Sequence, residues 1–348
     1  MMLQHFKERF VMLALLISAA GIAILYLLSR QQPKGHYGFK RRYAATPVLI
    51  RHVPLGYNSY YLAGFNSTAI FLGNVRAPLH AVQINLQTPD TVHIRIRTDT
   101  SFEAVKSRLT LFGSQFFLTD PQLHTLWLGS TQTWKARKVP FSPASLLTLD
   151  EYLPVSASTV LFRAVQNQRF VIGLHTRGKR PWVSPAFLKK QGDPLFSTDG
   201  TMVYDPKTNR FAYVYFYQNR FSISDSSLRQ TRSYQTIDTN AHAVVQARWI
   251  KSSGALKMSS APLMVNRLAT LSGQRLFIYS KIRADNDDRR RNDSDTAIDV
   301  YSVASGKYLH SFYLPDPRGT SIRGILVHEN QLAVLYERTL ALFTLPQI

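Results

Sequence analysis

The stretch RADNDDRRRNDSDTAID at 283–299 sets acids on both sides of three consecutive arginines. Asp285, Asp287 and Asp288 open it in the manner of a calcium loop, which needs glycine at its sixth position for a sharp turn and a bidentate glutamate at its twelfth. Counted from Asp285, those places hold Arg290 and Thr296. Arginines at its centre also oppose a dication, so no metal is expected there. The 10 histidines are scattered, without HxH or HExxH spacing, which leaves no zinc signature. His175 and His310, inside strand-like runs, read as hydrogen-bonded wall residues. There is no cysteine, which excludes disulfides, thiolate metal sites and cysteine nucleophiles. GxSxG, P-loop and GxGxxG patterns are absent, and nothing implies a cofactor.

Two chemistries remain. Carboxylates facing each other across a cavity could serve a glycosidase or lyase, and Asp150-Glu151 with Asp193, Asp199 and Asp205 are the modest clusters on offer. Asp199 precedes a glycine and Asp205 a proline, so turn formation accounts for both more simply. The second chemistry is cationic. His242, Arg248, Trp249, Lys251 and Lys257 fall in one long connection, and Arg289, Arg290 and Arg291 fall in the opening stretch. An aromatic among cations suits an anionic or saccharide ligand through stacking and charge-assisted hydrogen bonds. These eight residues are the candidate contact set, against the simpler reading that Trp249 packs its loop down while the cations face water.

The elements that would position them are strands. In FAYVYFY, 211–217, both alternating faces are apolar, as expected of a strand sandwiched between neighbouring sheets. Related runs occur at 68–73, 114–119, 159–164, 275–280 and 331–337. Six units of about 50 residues match propeller blades, each parsed as four strands, a to d. The fourth reads 200–205, 210–217, 220–225 and 231–238. The fifth reads 266–273, 275–282, 297–306 and 307–315, with an insertion at 283–296 between b and c. That insertion would be a solvated loop, or a finger displayed on the face shared by b–c and d–a connections. The sixth unit lacks a strand, and PVLIRHV at 47–53 is an unpaired strand ahead of the first. Pairing the two would close the ring and remove an open edge.

YDPKTNRFAYVYFYQNRFSISD, YQTIDTNAHA, LKMSSAPLMVN and AIDVYSVASGKYLHSFYLP resemble the TolB-like six-bladed β-propellers, specifically exported bacterial members of unknown role. The resemblance covers roughly 47–348 and is weakest over 90–190. It implies a propeller and a cell-envelope setting, and brings no catalytic residues with it.

Ahead of the strands, FVMLALLISAAGIAILYLL at 10–28 is free of charge. At 1.5 Å per residue it would span ~28 Å, close to the hydrocarbon thickness of a bilayer. The expected organisation is therefore a basic segment at 1–9, a transmembrane anchor at 10–28, a basic linker at 29–46 and an all-β six-bladed propeller of four-stranded antiparallel blades at 47–348. Its expected setting is the bacterial inner membrane, single-pass, with the propeller on the periplasmic side. The net charge of +21 is spread along the whole chain. It suits an envelope protein, an anionic polysaccharide or lipid headgroups as partner. Nucleic acid is disfavoured because no nucleic-acid-binding motif appears. The expected function is non-catalytic binding of a protein partner or anionic ligand; the alternative is a carbohydrate-active lyase or glycosidase with its site at the channel mouth.

Overall fold

In the computed structural model the described residues are 12–24, 36–140, 147–185, 187–188, 195–243, 247–250, 255–258, 261–288, 291, 294–315 and 321–346, with backbone alone at 247–250 and 255–258. Among the described residues six of the seven sheets are blades of four antiparallel strands, and blade 2 adds Arg97–Thr98 in parallel along its outer edge. The innermost strands, a, are Tyr60–Phe65, Arg108–Phe112, Thr148–Ser156, Gly200–Asp205, Asn266–Ser272 and Gly324–His328.

Closure follows from the chain's leading strand. Val48–Pro54 pairs antiparallel with Thr339–Thr344 and becomes the outer strand of blade 6, with Val53 opposite Leu340. The boundaries lie one residue from those expected. Alternation then packs each inter-blade gap with side chains from both neighbours. Between blades 4 and 5 it seats Ala212, Val214, Phe221, Leu276 and Ile278, and Phe211, Tyr213 and Tyr215 of the same strand turn the opposite way, into the gap with blade 3. All five residues of Phe211–Tyr215 are fully buried, so both faces of this strand are core.

Two regions depart from the sequence reading. The long connection after blade 4 is not a plain loop, since Ala247–Ile250 and Ala255–Met258 pair as an extra hairpin. The insertion in blade 5 is neither a solvated loop nor a displayed finger over 284–288. It clasps the segment expected to be a free basic linker. Asp285 accepts from the backbone N–H of Tyr37 at 2.6 Å, and Asn286 exchanges two 2.8 Å bonds with the backbone of Arg41. Arg41 itself is buried, donating to Asp299 at 2.8 Å and to Asp287 at 2.7 Å. Tyr43 donates to Asp287 at 2.6 Å and stacks on Tyr313 at 4.2 Å. The strap then bonds along blade 5, where Ala44 donates to the carbonyl of Ser311. A run of cations that looked like a tether is held because acids about 245 residues away lie opposite it.

Of the apolar stretch at 10–28, residues 12–24 are helical, with Met12, Leu16 and Ile22 exposed. Among the described residues no helix is long and apolar enough to cross a membrane, and both ends of the stretch lie outside them.

Candidate functional site

A propeller's inner strands converge on one axis, so residues near the start of strand a meet at one mouth of the central channel. That mouth belongs to the face of the b–c and d–a connections. Here it opens into a cavity of about 460 Å³ lined in part by Lys106, Arg108, Asp150, Glu151, Arg163 and Arg323.

Successive side chains on a strand normally point to opposite faces. Blade 3 breaks that rule with a register shift between Leu149 and Glu151. A bulge of this kind re-aims side chains, and Asp150 and Glu151 both reach one guanidinium. Arg163, from strand b, donates from Nε to Asp150 at 2.7 Å and from Nη1 to Asp199 at 2.9 Å, with Glu151 at 3.8 Å. It also donates to the carbonyl of Gly200 and lies 4.7 Å over the ring of Phe170. Lys106 donates to Asp150 at 2.7 Å.

The three carboxyls are driven apart. Burial pushes Asp150 up, but Arg163 and Lys106 outweigh it and hold the carboxyl below its ordinary range. Burial raises Glu151, and the charge of Asp150 adds to the rise against the opposition of Arg163. Asp199 is likewise raised by burial, against Arg163. Glu151 keeps 38% of its side chain accessible, so channel water softens its rise.

Two cations have no carboxylate partner among the described residues. Arg108 lies 4.4 Å over the ring of Tyr61, whose hydroxyl accepts from the backbone of Leu109 at 2.6 Å. Arg323 donates to the carbonyl of Asn58. Both guanidiniums are oriented by neutral groups, and Arg108 also feels the charge of Glu151 across the mouth.

The channel's other end, under the a–b and c–d turns, holds a wider cavity of about 1170 Å³. Lys207 of blade 4 and Glu329 of blade 6 pair at 3.2 Å near it, and His328 stacks on Phe65 at 5.6 Å. Leu62, Thr110, Leu153 and Ala269, from four different blades, line both cavities.

Of the eight residues singled out in the sequence, the two whose side chains are described, His242 and Arg291, line neither cavity. His242 is exposed in the connection after blade 4. In the extra hairpin Arg248 stands opposite Lys257 and Trp249 opposite Leu256. Arg291 lies 5.3 Å over Tyr313 on the rim of blade 5. Lys251, Arg289 and Arg290 fall outside the described residues. Sequence reasoning noted Asp150, Glu151 and Asp199 but missed the cations around them. One signal was available: when the blades are aligned, SRLTLF, NRLATLS and SIRGILV each carry an arginine at the start of strand a, as Arg108, Arg267 and Arg323.

No family model matches the chain, and no curated protein sequence does. Among solved structures, a DUF4221 family member from Bacteroides vulgatus is similar at 13% identity and a TM-score of 0.50, over 88% of this chain and 98% of that one. The Swd1 β-propeller domain of Myceliophteria thermophila aligns at 12% identity and a TM-score of 0.45, over 86% and 100%. YCF48 bound to D1 peptide aligns at 10% and 0.46, over 88% and 100%. At 13% identity the first of these likenesses speaks for the propeller fold alone.

Proposed function

We propose that this propeller is a binding module that takes an anionic ligand non-covalently at the b–c/d–a mouth of its central channel. The observation that carries the reading is the pair Arg108 and Arg323, oriented by Tyr61 and Asn58 and free of a carboxylate partner among the described residues, beside Lys106 and Arg163. Guanidinium groups oriented in this way are suited to bidentate recognition of carboxylate or phosphate. The residues singled out in the sequence, His242, Arg248, Trp249, Lys251, Lys257 and Arg289–Arg291, would then form a second surface, for an envelope protein, a polysaccharide or headgroups. The proposed setting is the bacterial inner membrane, with 10–28 as anchor, the propeller on the periplasmic side and a TolB-like relationship. Its support is the uncharged stretch itself and the exposed apolar helix at 12–24.

Titration calorimetry with inorganic phosphate and glucuronate at low and high salt tests the site. Binding that weakens with salt and disappears in Arg108→Ala/Arg323→Ala supports it; equal binding by that variant refutes it. A second reading, a lyase or glycosidase, draws on Glu151 raised beside a depressed Asp150, since a pair of carboxyls driven apart in this way separates acid from base. Turnover of acidic oligosaccharides that is lost in Glu151→Gln would favour it, and binding without turnover would end it.

A further inference from the structure

The strap at the rim has a direction as well as a seat. Tyr37 donates from its backbone N–H to Asp285, and its carbonyl accepts from Thr239 at 3.0 Å. Asp285 lies in the b–c connection of blade 5 and Thr239 in the d–a connection ahead of it, so both belong to the face of the cationic mouth. Phe39 is buried beside Val265 and Ile282 on that face. From there the chain descends along blade 5, where the carbonyl of Arg42 accepts from Ser311. Val48 then stands opposite Thr344, the last residue of the third strand of blade 6. The strap therefore crosses the ring from one face to the other, and the chain ahead of Tyr37 approaches from the b–c/d–a side.

The covalent link to the uncharged stretch is short. Leu28 and Tyr37 are nine residues apart, a separation that reaches at most ~32 Å. With the other face against a bilayer, Tyr37 would stand above the full thickness of the ring, about 20 Å for a six-residue strand, and the link would be drawn toward its limit. Charge by itself does not choose between the faces. The b–c connections expose Arg76, Lys281 and Arg338, and the opposite turns expose Lys179, Arg229 and Lys307. The strap does choose.

We infer that the ring rests with its b–c/d–a face on an anionic bilayer, and that phosphates of lipid headgroups are the anions presented to Arg108 and Arg323. This rests on the membrane setting and the anionic-ligand reading above, and deepens them by naming the face and the source of the anion. Basic side chains gain from the negative potential of such a surface only within about a Debye length, ~8 Å at physiological salt. The mouth meets that distance on this face and misses it by the thickness of the ring on the other.

The chain has no cysteine, so a single introduced one carries a label without ambiguity. Ser67→Cys in the a–b turn of blade 1 and Ala77→Cys in its b–c connection change exposed residues at opposite ends of Ala69–Asn74, ~20 Å apart. Each full-length variant, carrying a fluorescent donor, is reconstituted into nanodiscs of phosphatidylcholine with or without phosphatidylglycerol, with an acceptor on the headgroups. The expected result is stronger energy transfer from Ala77→Cys than from Ser67→Cys, and a further gain from phosphatidylglycerol that Arg108→Ala/Arg323→Ala removes. Equal transfer, or stronger transfer from Ser67→Cys, overturns the orientation while the anchor stands. A gain that persists in the double variant overturns the headgroup as the ligand of the mouth. Failure of the unlabelled chain to float with vesicles of either composition overturns the membrane reading and this inference with it, whereas the phosphate titration is unaffected by that outcome.

Discussion

Replacing Arg41 by methionine isolates the contact that joins the N-terminal strap to the propeller. The side chain of Arg41 has no accessible surface, and Asp287 and Asp299 keep only 4% and 3% of theirs. It donates four hydrogen bonds, to both oxygens of Asp299, to Asp287 and to the carbonyl of Ile282. Methionine fills much of the same volume but leaves two buried carboxylates without a cation, a change that typically costs ~3–5 kcal/mol. Tyr43 and Ser311 still donate to these carboxylates, which favours the lower half of that range. With an unfolding entropy of ~2.1 cal/mol/K per residue over roughly 300 residues, the loss is about 5–6 °C in Tm. Calorimetry at pH 7 reads it directly. Arg41→Met combined with Asp287→Asn and Asp299→Asn should recover most of the loss, because no buried charge is left unpaired. A fall of less than about 2 °C in Arg41→Met, which is ~1 kcal/mol on the same scale, would refute the assignment of this pair as buried and coupled.

Glu151→Gln should raise Tm at neutral pH by a margin that shrinks as the solution is acidified. The folded carboxyl is raised above its unfolded value, so its penalty is present when it is charged and vanishes below the ordinary carboxylate range; a constant difference from pH 4 to pH 8 would contradict this. Burial holds His175 and His310 below the ordinary histidine value, so the unfolded state takes up protons first and stability should fall as pH drops through about 6.5. His310→Gln should reduce that slope in a pH series of thermal melts. Exchanging 283–296 for a two-residue turn, harmless if that stretch were a solvated loop, should lower Tm by at least as much as Arg41→Met because it removes Asp285, Asn286 and Asp287 together. Gly306 has φ +68°, and a Cβ there would lie 2.0 Å from Cδ1 of Tyr234. Gly306→Ala should therefore cost ~2 kcal/mol or more, measured by chemical denaturation.

The architecture was legible because its signal is local and repeated. Alternation has a period of two, so a run such as Phe211–Tyr215 announces a strand buried on both faces wherever it sits. Six such runs at even spacing admit few arrangements. The closing strand was legible by counting, since a sixth blade short of one strand and an unpaired strand before the first blade have one economical solution. The carboxylates of the mouth were visible as residues but not as a group. Asp199 looked like turn chemistry, and in part it is, for its carboxylate also accepts from the backbone of Gly200 at 2.9 Å.

What tertiary structure decided is which charges meet. A bulge at Asp150 turns two neighbouring acids toward one arginine, and no residue type in that stretch announces the shift. Ring closure then brings Arg108 and Arg323 to the same mouth, although they lie far apart in the chain. The strap repeats the lesson at the rim, where Arg41 and Asp299 stand 258 positions apart and each alone reads as an ordinary surface charge. Strand pattern is set by neighbours two residues away and can be read from the chain alone. Whether a charge is solvated, paired or left to bind a ligand depends on partners that only the closed ring supplies.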